Sequence, residues 1–241
     1  MSIERLESLA LKLRRLKYEH LEWIKRSEKK EWLCMEASKK SGSSSDNRVD
    51  FRSLESEVSD CLRCEIGSLR TNVVFGSGSE SARLMFIGEA PGAKEDSMGV
   101  PFVGRAGKLL TDMIEAMTLS REEVYIANII KCRPPANRDP LPSEIENCIG
   151  YLYRQIEMVN PEIICLLGKV AANRLLESEL PMKELRGKPH KFRDRKLYVT
   201  YHPAYLLRNP AAKKDVWSDL KLVMNQLGID IKRRINRVDG K

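Results

Sequence analysis

Arg83-Leu-Met-Phe-Ile-Gly-Glu-Ala-Pro-Gly92 decides the fold: a short apolar run without a charge after Arg83 breaks at Gly88 into a polar turn. An uncharged run of this length reads as a strand covered on both faces, as in parallel sheets. Residues 83–87, 124–129, 162–167 and 197–201 all have this character. Between and after them, residues 106–117, 143–159, 169–177 and 212–227 carry apolar residues at helical spacing. Strands alternating with helices predict an α/β protein, a three-layer α/β/α sandwich around a central, mainly parallel four-stranded sheet. Such sheets bind ligands at the carboxyl ends of their strands. Three strands here run into unusual polar segments at that end: Gly88-Glu-Ala-Pro-Gly92, Asn128-Ile-Ile-Lys-Cys-Arg-Pro-Pro135 and His202-Pro-Ala-Tyr-Leu-Leu-Arg-Asn209. Their convergence predicts a pocket.

Outside that core, residues 2–38 have helical periodicity, and residues 38–47 form a Ser-rich stretch without an apolar residue, which reads as a linker. The expected organisation is an appended N-terminal helix and linker over 1–50, a main domain over 51–230 and a basic tail over 231–241. No apolar run is long enough to span a membrane and no secretory signal is visible, so a cytoplasmic location is expected. The net charge of +8 is compatible with nucleic acid. Nine Lys or Arg residues stand against one acid between Arg186 and Lys214, which reads either as a solvated face or as a phosphate-facing strip.

Six cysteines without a secretory route read as thiols or metal ligands. Cys61 and Cys64 form a C-x2-C pair, and Cys132 and Cys148 lie far downstream beside site-like residues. Four clustered thiolates would make a metal clasp that ties distant segments together, and the spacing suits zinc and iron–sulfur alike. Cys34 and Cys165 read as ordinary thiols. Phe102 lies in a loop between a proline and glycines, where an aromatic can stack on a planar ligand. Asn128 offers a paired donor and acceptor at a strand end. His202, held extended by the proline that follows it, is one of three histidines.

GEAPG at 88–92, the ED-x-x-G-x-PFVGRAG continuation, NIIKCRPPANRDP at 128–140 and HPAYLLRNP at 202–210 together resemble the family 4 uracil-DNA glycosylases. The resemblance covers roughly residues 54–227, with the four cysteines in register. It implies a monomeric α/β/α enzyme that flips deoxyuridine out of DNA and hydrolyses its N-glycosidic bond, without lyase activity. The abasic site left behind starts base excision repair. It also implies a [4Fe–4S] cluster held by Cys61, Cys64, Cys132 and Cys148. By similarity, Phe102 stacks on the base, Asn128 reads its edge with Gly88 and Ala90 nearby, and His202 donates to uracil O2. Other superfamily members carry Asp where this chain has Ala90, which leaves Glu89 as a candidate either for orienting water or for excluding the thymine methyl, with Asp96 behind it. Leu206 and Leu207 are expected to wedge into the duplex, with Arg208, Lys213 and Lys214 on phosphates. The partner is uracil-containing DNA, and the N-terminal helix is either self-packed or a protein-binding element. Three rivals stand beside this reading, one of them a zinc-binding nucleic-acid module, which a brown colour with broad visible absorbance would exclude. Another is a DNA-binding scaffold without catalysis. The third is a superfamily member that links covalently to DNA through an inserted histidine, against which the absence of histidine between His20 and His190 counts.

Overall fold

The structure, a computed structural model, describes residues 47–230. The expected helix over 2–38, Cys34 and the 231–241 tail lie outside the described residues. A compact unit begins at Val49, and helix α1 (Asn47–Ser59) runs across the boundary expected at residue 50.

Four buried strands form the parallel centre of the sheet: β2 (Leu84–Gly88), β3 (Tyr125–Asn128), β4 (Ile163–Leu167) and β6 (Arg195–Thr200). The expected sheet of four strands is in fact six, in the order β1-β3-β2-β4-β6-β5. The two additions are antiparallel edges, β1 (Ser77–Gly78) and β5 (His190–Phe192). Both are too short, and too polar or charged, to show a period-2 signal. Helices α4 (Arg105–Ala116), α5 (Pro142–Val159), α6 (Lys169–Leu175) and α9 (Lys213–Leu227) fall where the periodicity places them.

Strand alternation sorts the core into two layers. Met85, Ile87, Tyr125, Ala127, Ile164, Leu166, Leu197 and Val199 face one cluster, which also holds apolar residues of α1, α5 and α6. Leu84, Phe86, Ile126, Cys165, Leu167 and Tyr198 face the other, with residues of α4 and α9. Apolar packing on both faces makes the molecule the expected α/β/α sandwich. Because β2 has β3 on one side and β4 on the other, the chain reverses direction across the sheet there, and the carboxyl ends at that point form a natural crevice.

Candidate active site

Gly88 ends β2 directly beside Asn128, which ends β3, in parallel register. A methyl group on Gly88 would lie 2.5 Å from Asn128 Oδ1 and 2.6 Å from Phe102 Cζ, so glycine is needed for those two side chains to meet there. Asn128 is 1% exposed, and its Oδ1 has no hydrogen-bond partner. A buried acceptor without a partner costs about 1–3 kcal/mol and calls for a ligand donor.

Phe102 adopts a left-handed backbone, φ 53°, which side-chain-bearing residues seldom take. Several contacts hold it there. Glu95 Oε1 accepts from the peptide N–H groups of Val103 and Gly104 at 2.9 and 2.8 Å. Arg121 donates to the carbonyls of Pro101 and Phe102 at 2.9 and 3.2 Å. A Cβ on Gly107 would collide with the Phe102 carbonyl, so helix α4 starts tight against the loop only because that residue is glycine. Glu95 lies in the first turn of α3 (Ala93–Met98); the sequence marks it only as part of a motif, and Arg121 not at all. Asp96, the weaker acid candidate, is a structural residue: its buried carboxylate accepts from the Thr71 peptide N–H at 2.9 Å.

The polar stretch after β6 is a short helix, α8 (Pro203–Arg208), where the sequence suggests a loop. Six residues with a leading proline are too few to reveal a helical period, although proline at the first position favours helix. His202 caps it, Nδ1 accepting from the Ala204 N–H at 3.1 Å. That bond requires a lone pair on Nδ1, so the neutral ring carries its proton on Nε2. Burial, with Arg208 adding to it, lowers the His202 pKa to about 4. The ring lies 5.6 Å from that of Phe102.

Helix geometry also corrects the wedge. Leu206 is 1% exposed within the core beside α4 and α9, so it cannot enter a duplex without unfolding the helix. Leu207 is 40% exposed and remains available. Tyr205, unmarked by the sequence reading, is exposed and stacks on Tyr201 with ring centroids 4.8 Å apart. The basic stretch is divided as well: Arg186 is paired with Asp219, and Arg193 and Arg195 with Glu157.

One cavity of about 530 Å³ gathers these groups. Asn128, Phe102 and His202 line it with Glu89, Ala90, Tyr205 and Arg208, joined by Arg138 and Asp139 from the proline-rich segment after β3. Burial first, and the Asp139 charge second, push Glu89 up to about 7. Arg138 is fixed by a paired contact with Glu144, whose carboxylate also accepts from the Leu141 N–H at the start of α5.

Cys61, Cys64, Cys132 and Cys148 all line a second, much smaller cavity. Arg70 Nη1 and the Lys131 peptide N–H each donate to a sulfur, of Cys132 and Cys148 respectively, at 3.3 Å. Among the described residues no group of three or more His, Cys, Asp or Glu side chains closes tightly enough for a single metal ion. Cys165 is buried in β4, away from this set.

Fold and site together define an α/β protein whose strand ends form a pocket with an aromatic wall, a buried carboxamide and a neutral imidazole. The model of the uracil DNA glycosylase superfamily matches residues 75–221, and the chain belongs to that family. Among curated relatives, the type-4 uracil-DNA glycosylase of Saccharolobus solfataricus is 46% identical over 180 residues, 71% of this chain and 83% of that protein. Its namesake from Sulfurisphaera tokodaii is 44% identical over 189 residues, 75% and 86% of the two chains. That of Archaeoglobus fulgidus is 43% identical over 175 residues, 69% and 88%.

Proposed function

We propose that the protein is a monofunctional uracil-DNA glycosylase that extrudes deoxyuridine from DNA and hydrolyses its N-glycosidic bond. The observation that carries this reading is the unpartnered Asn128 Oδ1 in a cavity walled by Phe102 and His202. A base in the stack shields its glycosidic bond, so the nucleotide must leave the duplex. In the pocket, Phe102 covers the face of the ring. Asn128 Oδ1 accepts from uracil N3–H, and its amide N–H donates to O4. Cytosine presents the opposite pattern at these two atoms and is refused. The His202 Nε2–H donates to O2, where negative charge grows as the C1′–N1 bond breaks. Glu89 faces the sugar side, steadying the positive charge there and orienting water. Water oxygen bonds to C1′, its proton passes to the carboxylate, and uracil leaves as an anion.

An oligonucleotide assay tests the reading: uracil opposite guanine should be released with an abasic site left behind, and thymine should not. Binding to uracil-containing DNA without base release would overturn it in favour of a scaffold.

The Glu89 role predicts a pH profile. An acid pushed up to about 7 is half protonated at neutrality, so kcat/KM should rise with pH to a plateau above about pH 7. In Glu89→Gln that limb should vanish and the plateau fall. A limb that survives the substitution would assign it to another group.

On α8, Leu207 fills the gap left by the extruded nucleotide, while Arg208 holds phosphate. Leu207→Ala should raise KM about tenfold on duplex substrate, because wedges of this kind offset a few kcal/mol of unstacking. It should change little on single-stranded substrate, where no stack is broken. Equal effects on both would remove the wedge role.

The four cysteines lining one cavity, with N–H groups donating to two sulfurs, suit a [4Fe–4S] cluster held by Cys61, Cys64, Cys132 and Cys148. Bound there, the cluster supplies no step of the hydrolysis. Through Cys132 and Cys148 it ties the segment after β3 to α5, and through Cys61 and Cys64 both to the chain ahead of the sheet. Cys132→Ser should therefore lose iron, sulfide and visible absorbance, and should lower the midpoint of thermal unfolding. A variant with wild-type iron content would exclude Cys132 as a ligand.

A further inference from the structure

Lys131 has no part in the chemistry above, yet it is 0% exposed. Its ammonium meets two neutral oxygens, the Asn128 carbonyl at 2.9 Å and Gln155 Oε1 at 2.5 Å. Gln155 is itself fixed, its amide donating to the Phe75 carbonyl at 3.0 Å and the Tyr125 hydroxyl at 3.1 Å. A buried ammonium is costly unless an anion stands nearby. Lys131 lines the same small cavity as Cys61, Cys64, Cys132 and Cys148. Cys132 is its chain neighbour, and Cys148 Sγ accepts from its peptide N–H. Free buried thiols are neutral and offer no counter-charge, whereas cluster-bound thiolates do. The same ammonium pins the carbonyl of the residue that carries the unpartnered carboxamide.

We propose that Lys131 is a positioning residue with two faces: its charge balances the thiolates of Cys132 and Cys148, and its hydrogen bond sets the strand end from which Asn128 reads the base. The inference rests on the proposed cluster and on the proposed role of Asn128. It makes the cluster and the base-reading group share one side chain.

The test compares intact wild-type protein with Lys131→Met and Lys131→Arg, all purified without oxygen. Iron and sulfide content, the rate of visible bleaching in air, circular dichroism and the kcat and KM for uracil release are measured on each. Partners around metal centres typically contribute ten- to hundredfold in affinity or activity. Lys131→Met, which keeps an unbranched chain one atom shorter and loses the charge, should bleach about tenfold faster and lose about tenfold in kcat/KM. Lys131→Arg should bleach at close to the wild-type rate, because charge is kept. It should still lose kcat/KM, because the bulkier planar guanidinium does not fit where the ammonium sits buried between the Asn128 carbonyl and Gln155 Oε1, and so shifts that carbonyl. A folded Lys131→Met that bleaches no faster than wild type overturns the proposal, as do equal bleaching rates in the two variants. Where Lys131→Met does not fold, Lys131→Arg decides alone: a long-lived cluster with reduced kcat/KM supports the proposal, and rapid bleaching refutes it. Wild-type protein without iron, or without uracil release, would instead overturn the cofactor or the functional reading, whatever the variants do.

Discussion

Asn128→Ala should release uracil at least a hundredfold more slowly than the wild-type protein in kcat/KM, without loss of thermal stability. The kinetic half follows from the hydrogen bonds at stake. Removing the carboxamide leaves uracil N3–H and O4 buried without partners; at about 2 kcal/mol each, the middle of the usual range, the two multiply to a factor on the order of a thousand. Asn128→Asp should be no better than the alanine variant: a carboxylate still accepts from N3–H but can only repel O4. The stability half follows from the absence of any protein partner for Oδ1. An unsatisfied buried acceptor destabilises the free protein, so its removal should leave unfolding unchanged or slightly later. Loss of activity with equal or greater stability marks a group kept for a ligand. An Asn128→Ala variant with wild-type uracil release would remove the base-reading assignment, and one that unfolds early would make Asn128 a structural residue.

Much of this site was legible because its residues sit at the ends of strongly apolar strands. The runs ending at Gly88 and Asn128 contain few charges, and the register of β2 and β3 brings their ends together. Glycine beside the carboxamide and aromatic is intelligible only in three dimensions, since the forbidden methyl is defined by side chains 14 and 40 positions away. The roles of Glu95, visible only as part of a motif, and of Arg121 are hidden for the same reason: each acts on the backbone around Phe102 through contacts that leave no periodic trace.

The clearest misreading lies in α8. Leu206 and Leu207 are chemically alike in sequence, and only helical geometry separates them, turning Leu206 into the core and Leu207 outward. His202, Tyr205 and Arg208 recur every three residues on the remaining face, and all three line the cavity. The basic stretch is partly hidden in the same way. Its arginines look free in one dimension, but Glu157 and Asp219, on distant helices, hold three of them. The edge strands β1 and β5 were missed because two or three residues cannot show an alternation. Each error concerns a property that depends on which neighbour folding supplies.

His202→Ala should lower single-turnover uracil release by about 10² to 10³, the effect typical of one donor removed from a developing anion. Alanine also removes the acceptor that caps α8, worth about 1 kcal/mol at a helix start. His202→Asn separates the two contributions, because a short amide keeps a capping oxygen but cannot place a donor where Nε2–H stands. It should restore much of the thermal stability and little of the rate. A recovered rate would mean that His202 acts only by shaping the helix. The protonation state sharpens the expectation. A pKa lowered to about 4 keeps the ring neutral throughout the range in which Glu89 titrates. The wild-type profile should therefore show one limb near pH 7 and none near the usual histidine value of about 6.5. For stability, unfolded histidine takes up its proton near 6.5 and the folded ring only near 4. The contribution of His202 is thus complete above about pH 6.5 and is lost as pH falls toward 4. In His202→Asn that portion of the acid destabilisation should disappear, which equilibrium unfolding between pH 7 and pH 4 would measure. An imidazole kept neutral, with its proton fixed on Nε2, already has the form needed to hold charge on a departing base, so no proton need be gained before the bond breaks.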